Sequence, residues 1–276
     1  MFRLKVSHPF SIQLLASAHD YSWDSSFLFT GESHSDWEFV CVLDGEVLVT
    51  EDEKVYTLQK GSFICHAPYE FHSIRSSGGT HPHVLVLSFC HDGILPAVLS
   101  EGVFFLSPIE LEAYTAIFQR VRTMLIHEDE DPYRSAEVAG ALESFLILLA
   151  QRQTPYVPVT RTKNVDLYQQ VVRSMQAAVY QNLTLEAIAQ QNAISISTMK
   201  NLFRTFTGIP PKAYYSKLRL LEAIRLMDEG WKIGEVAEQL GFPSPNYFSV
   251  FFKKIKGETP GEYLKRRHGI PYTKSS

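Results

Sequence analysis

The chain has 276 residues, a length for about two domains, and its 45% hydrophobic and 20% charged content is that of a packed globular chain, not a disordered one. No apolar run approaches the ~20 residues of a membrane-spanning helix, and the opening M-F-R-L-K-V-S-H-P-F lacks the continuous apolar core of a signal peptide. The net charge of −4 hides a division: residues 1–160 hold 9 Lys and Arg against 21 Asp and Glu, net −12, and residues 161–276 hold 17 against 9, net +8.

Residues 8–100 read as a β-rich domain. Phe27–Phe29, Trp37–Leu43, Glu46–Thr50, Val55–Leu58, Ser62–Cys65 and Val84–Phe89 are short strand candidates. Asp44-Gly45 and Lys60-Gly61 are turn signals between them. Many short strands at close spacing predict a sandwich or barrel. Cys41, Cys65 and Cys90 lie in apolar runs and are expected to be buried reduced thiols, which suits a cytoplasmic protein.

Residues 109–130 and 132–152 carry helical periodicity, and Pro132 is placed to open the second helix. Leu142, Phe145, Leu146, Leu148 and Leu149 offer more apolar surface than one face of a lone barrel needs, so a homodimer is expected. Gln153 to Thr160 (Q-T-P-Y-V-P-V-T) reads as a proline-stiffened linker.

Asn182 to Gly208 has the form of two short amphipathic helices with a break between them. Leu185, Ile188 and Ala189 make one apolar stripe, and Met199, Leu202, Phe203 and Phe206 the next. Ser195 and Ser197 stand where a side-chain oxygen can cap the second helix. Lys232 to Gly257 repeats the unit: Val236-Ala237 matches Ile188-Ala189, Ser244 matches Ser195, Phe251-Phe252-Lys253 matches Leu202-Phe203-Arg204, and Gly257 matches Gly208. A whole supersecondary unit rarely repeats by chance. Pro211 to Glu229 is helical throughout and joins the two. This is a tandem helix-turn-helix, and it lies in the basic half, which attracts a phosphate backbone.

The run G-F-P-S-P-N-Y-F-S-V-F-F-K-K-I-K-G-E-T-P-G-E-Y-L resembles the signature of AraC/XylS-type transcription regulators, and the resemblance covers residues 165 to about 268. The stretches H-S-D-W-E-F-V-C-V-L-D-G-E-V-L-V-T and Y-T-L-Q-K-G-S-F-I-C-H-A-P-Y-E-F-H resemble the cupin sensor domain found at the front of that family. The implied fold is α+β. Residues 1–153 form a cupin-like sensing and dimerisation domain with helices over about 109–152, residues 154–164 a linker, and residues 165–276 an all-α DNA-binding domain with units at about 183–206 and 232–256.

A cupin barrel can enclose one small molecule. Trp23, Phe29, His34, Trp37, Glu38, His66, His72 and His83 are the candidates to line such a pocket. Aromatic rings beside His and Glu suit a sugar, whose C–H faces stack while its hydroxyls hydrogen-bond. His34, Glu38 and His72 would make a plausible metal triad, but metal-binding cupins usually show a His-x-His pair where this chain has His34-Ser35-Asp36. No metal or cofactor is therefore expected. Residues 1–15 look like the arm that moves with ligand in sugar-responsive relatives.

Matching the family motif puts Ser197, Thr198, Lys200 and Asn201 of the first unit, and Ser244, Asn246, Ser249 and Val250 of the second, at base-facing places. Arg204, Lys253 and Lys254 are expected on phosphates. Many relatives carry Arg where this chain has Asn201 and Val250; Asn prefers adenine and Val touches only a thymine methyl, so a site poor in guanine contacts is expected. The expected function is a ligand-responsive, DNA-binding regulator, an activator by the family's commoner habit. Its expected partners are double-stranded DNA, a small-molecule effector, RNA polymerase and a second copy. The alternatives are a cupin metalloenzyme with a helical tail and a binding module whose DNA contacts have decayed.

Overall fold

The computed structural model describes residues 7–152, 155–156, 160, 162–181 and 183–267. The chain divides into two compact units, Met1–Arg161 and Thr162–Ser276.

In the first unit, strands β1 (Phe10–Ser22), β8 (His83–Gly93), β3 (Trp37–Asp44), β6 (Ser62–His66) and β9 (Val103–Phe105) make one sheet in that order. Strands β2 (Leu28–Glu32), β7 (His72–Ser76), β4 (Glu46–Glu51) and β5 (Lys54–Gln59) make the other. Alternation along each strand sorts residues between two cores. Val40, Val42, Ile64 and Val84 of the first sheet meet Val47, Val49, Tyr56 and Leu58 of the second. Phe39, Cys41, Phe63, Leu85 and Leu87 point the opposite way. They meet Tyr114, Phe118 and Val121 of helix α1 (Pro108–Ile126), and Leu142, Leu146 and Leu149 of helix α2 (Pro132–Arg152).

Helix α1 opens on a capping box in which Ser107 accepts from the Glu110 N–H and Glu110 accepts from the Ser107 N–H. The Asp131 carboxylate receives the Tyr133 N–H at 2.8 Å where α2 begins. Leu142, Phe145, Leu146 and Leu149 are all buried against their own barrel; only Leu148 of that set is exposed. The apolar surplus expected to require a second copy is thus consumed within one chain.

Three strands are absent from the sequence reading: β1, β7 and β9. The register of β1 against β8 shifts between Ile12 and Leu14 and again between Leu15 and Ser17. Each shift inserts a residue and reverses the alternation by which a strand is recognised. The stretch read as linker also changes character. Tyr156 exchanges both backbone hydrogen bonds with Val103, each 2.9 Å, and so ties this segment to the sheet edge. Gln153, Thr154 and residues 157–159 lie outside the described residues, as do residues 1–6 of the expected arm. Residues 10–15 of that arm belong to β1.

The second unit is helical: α3 (Lys163–Ala178), α4 (Leu185–Gln191), α5 (Ile196–Phe206), α6 (Pro211–Asp228), α7 (Ile233–Gln239), α8 (Pro245–Lys256) and α9 (Pro260–Arg267). Tyr168, Phe203, Phe206 and Tyr214 pack ring against ring around the first pair, α4–α5. Phe242, Phe248, Phe252 and Tyr263 do the same around the second, α7–α8.

Candidate functional site

The barrel holds a partly open cavity of about 530 Å³. Trp23, Phe29, His34, Glu38, His66 and His72 line it, and Trp37 and His83 do not. The reason is strand parity. Glu38 and Val40 face between the sheets, so Trp37 must face the helices, where it packs on the outer core near His91. On β8, Val84, Val86 and Ser88 point inward, which turns His83 outward onto Asp20, 2.6 Å away.

One wall is aromatic. Trp23 stacks on Phe27 with centroids 4.0 Å apart, and Tyr21 continues the stack 5.4 Å from Trp23. The floor is polar, with Glu32, Asp36, Glu38, His34 and His72, and no Lys or Arg is among the described lining residues. Tyr21, Phe27, Glu32, Asp36 and Ser88 escaped sequence reasoning. Alternation from Glu38 back to Asp36, and from Val84 to Ser88, would have found two of them.

Glu38 lies between two imidazoles: His34 Nε2 is 3.4 Å from one oxygen and His72 Nε2 is 3.3 Å from the other. Burial alone would raise the Glu38 carboxyl, but contact with His34 and His72 outweighs it and holds the group well below its usual range. The same contact raises His34. Ser88 Oγ also donates to Glu38, at 3.1 Å. Gly31 lets this floor close, because a Cβ there would sit 2.3 Å from the Phe71 ring and 2.6 Å from the His72 carbonyl. Behind it, His66 stacks on His72 with centroids 4.5 Å apart and 5° between planes, and its Nδ1 meets Glu51 at 3.2 Å. Tyr56 donates to Glu51 at 3.1 Å and Lys54 lies 3.3 Å from it. Burial and then the charge of Glu51 push Glu70 up to about 8.

In the second unit, the Ser195 side chain accepts from the Thr198 N–H and the Ser244 side chain from the Tyr247 N–H. Each recognition helix is therefore capped by the serine that the duplication pairs; Ser197 lies inside α5 and is not a cap.

A helix-turn-helix domain family model matches residues 188–266, and a cupin domain model matches residues 29–89. The chain belongs to the AraC-type regulators. It is a DNA-binding transcription regulator and not an enzyme. The chain is 25% identical over 278 residues to the HTH-type transcriptional activator RhaR of Klebsiella pneumoniae, covering 96% of this chain and 97% of that one. It is 24% identical over 164 residues to the transcriptional regulatory protein HptR of Staphylococcus aureus, covering 59% of this chain and 60% of that one. Among solved structures, ToxT from Vibrio cholerae is 17% identical with a TM-score of 0.36, covering 93% of this chain and 97% of that one. Among the described residues no helix is long and apolar enough to cross a membrane.

On this AraC-type reader, Ser197, Lys200, Asn201 and Arg204 are exposed along α5, and Asn246, Val250, Lys253 and Lys254 along α8. Thr198 is half-buried and its hydroxyl lies 2.9 Å from Ser195 Oγ, so it belongs to the cap. Ser249 is half-buried and donates to the Pro245 carbonyl at 2.9 Å. Ser244, expected at a base, serves as the cap. Tyr247 was overlooked: it is 63% exposed at the start of α8 beside Asn246.

Proposed function

We propose that this regulator is an activator controlled by a small neutral polyhydroxyl molecule, a sugar by preference, bound in the barrel cavity. The observation that carries this reading is the cavity's lining. A stacked Trp23–Phe27 wall suits the C–H face of a sugar ring, and Glu32, Asp36, Glu38 and the imidazoles accept from its hydroxyls. With carboxylates and no Lys or Arg around it, the cavity disfavours an anionic effector such as a sugar phosphate. RhaR, the relative matched over nearly the whole chain, is named an activator, which supports that sign of control.

Residues 1–153 would sense the effector and residues 165–276 bind DNA, with a short linker between. Ser197, Lys200, Asn201, Asn246 and Val250 would face bases, and Arg204, Lys253 and Lys254 phosphates. A homodimer through the exposed residues Ile109, Ile126 and Tyr133 of the helix pair would present two readers to one promoter, and RNA polymerase would be the partner of the activated state. Effector shifts the balance between two arrangements only in so far as it binds one of them better.

The test is a thermal-shift screen of neutral sugars, sugar phosphates and sugar acids on the full chain, followed by promoter binding with and without the hit. A rise confined to neutral sugars is the expected result. Stabilisation by sugar phosphates alone would refute the reading. Duplex binding itself should weaken steeply as salt rises, because neutralised phosphates release counterions.

A further inference from the structure

We propose that the second recognition helix reads thymine methyl groups through an apolar pair, Tyr247 and Val250, whereas the first reads hydrogen-bonding base edges. The proposal deepens the reader assignment, rests on the placing of α8 against bases, and is independent of the effector.

The duplication sets the comparison. Aligning Ser195 with Ser244 puts Ser197, Thr198, Lys200 and Asn201 of α5 against Asn246, Tyr247, Ser249 and Val250 of α8. Along α5, Ser197, Lys200 and Asn201 are exposed and each side chain can hydrogen-bond. Thr198 is drawn into the cap, its hydroxyl 2.9 Å from Ser195 Oγ. On α8 the chemistry is inverted. Ser249, at the place of Lys200, donates its proton to the Pro245 carbonyl at 2.9 Å. Val250, at the place of Asn201, is 70% exposed and carries no polar side-chain atom. Tyr247, at the place of Thr198, is 63% exposed.

Residues three apart on a helix are surface neighbours, so the phenol ring and the isopropyl group form one patch. The patch stands apart from the core, into which Phe248 and Phe252 of the same helix are fully buried. Lys253 and Lys254 are exposed in the turn that follows, and residues 161–276 carry 17 Lys and Arg against 9 Asp and Glu, net +8. The partner that fits this helix is therefore a polyanion with an apolar group to offer.

A duplex has such a group. In the major groove the edges of unmodified base pairs are donors and acceptors, except for the C5 methyl of thymine. An isopropyl group over any of the polar edges would strip its water and return no hydrogen bond. Over a thymine methyl it buries apolar surface on both sides. Asn246, four residues before Val250, has the amide that pairs with adenine. A T·A step thus satisfies the exposed side chains of α8 together, and a G·C step does not.

Duplexes selected by the full chain from a randomised pool, with the α5 and α8 sites located by footprinting, are resynthesised with deoxyuridine for thymine. This change removes only the methyl. Each methyl lost under α8 should weaken binding about threefold to fivefold, the transfer value of roughly one CH2. The same change under α5 should alter binding less than about twofold, since polar contacts dominate there. Cytosine at the α8 positions should bind weakly, and 5-methylcytosine should recover part of the loss. Y247A and V250A should each bind the thymine duplex less tightly and show a reduced deoxyuridine response, while Y247F keeps it, because the ring and not the hydroxyl reads. Selected duplexes without thymine under α8, an equal deoxyuridine response under both helices, or a response undiminished in both alanine variants would each overturn the proposal. The deoxyuridine comparison uses the wild-type chain, so a variant that fails to fold does not weaken it. Absence of any footprint under α8 would instead refute the base-facing placement itself, and the proposal with it.

Discussion

The two helix-turn-helix units share a plan but are held by different means. In the first, the α4–α5 turn spans residues 192–195, and Asn192 ends α4 with its own side chain donating to the Ile188 carbonyl at 2.7 Å and accepting from Ser174 of α3 at 3.1 Å. In the second, the turn spans residues 240–244, one residue longer, and Leu240 stands where Asn192 does. Its carbonyl accepts from Arg219 of α6 at 2.6 Å, and that guanidinium lies 4.0 Å from the Phe242 ring centroid. One unit is fastened to the helix before it, the other to the helix that joins the pair. Duplication preserves the apolar pattern; the polar anchor is solved afresh each time.

The turns differ in strain as well. Ala193 takes a left-handed φ of 54°, and the corresponding residue in the second unit is Gly241 at 68°. Alanine is disfavoured there by its Cβ, and glycine is not.

The largest effects should come from the ring cores. Phe203→Ala and Phe252→Ala should each lower the unfolding free energy by about 3–5 kcal/mol in urea titrations, since both side chains are fully buried. Equal costs would mean that the units are equally well packed.

Arg219→Met should cost about 2–3 kcal/mol by leaving the Leu240 carbonyl without this donor and removing the stacking cation. Footprinting should then show protection of the duplex vanish under α8 and persist under α5. Asn192→Ala should do the reverse at about 1–2 kcal/mol. Protection that vanishes under both helices in either variant would show the anchors to be shared.

Lys200→Ala should weaken duplex binding by about 1–3 kcal/mol if the ammonium reads a guanine. Val250→Arg should create a guanine preference under the second unit, read by selection from randomised duplexes. A wild-type chain that already selects guanine under both helices would remove this contrast.

The smallest effect concerns the turns. Ala193→Gly should raise stability by about 0.5–1 kcal/mol and Gly241→Ala lower it by about 1 kcal/mol, both by chemical denaturation.

Legibility followed locality. The α5 cap and the apolar stripes of the readers depend on residues within a turn or two of one another, and both could be read directly. Strand β1 could not, because its two register shifts break the period and only pairing with β8 defines it. Trp37 was misassigned beside Glu38 although adjacent strand residues face opposite ways. The helix pair misled for the opposite reason: its stripe was read correctly, but what it covers is a matter of the sheet behind it.

By itself the sequence determined the tandem reader, the charge division and a β-rich front half, because periodicity, caps and composition are properties of short stretches. Tertiary structure decided the rest. It turned Trp37 and His83 out of the cavity, buried Leu142, Phe145, Leu146 and Leu149 within one chain, and brought Glu32, His34, Glu38 and His72 from β2, the β2–β3 turn, β3 and β7 to one floor. Strand pairing sets which residues meet across sheets, and no short stretch of chain contains that information.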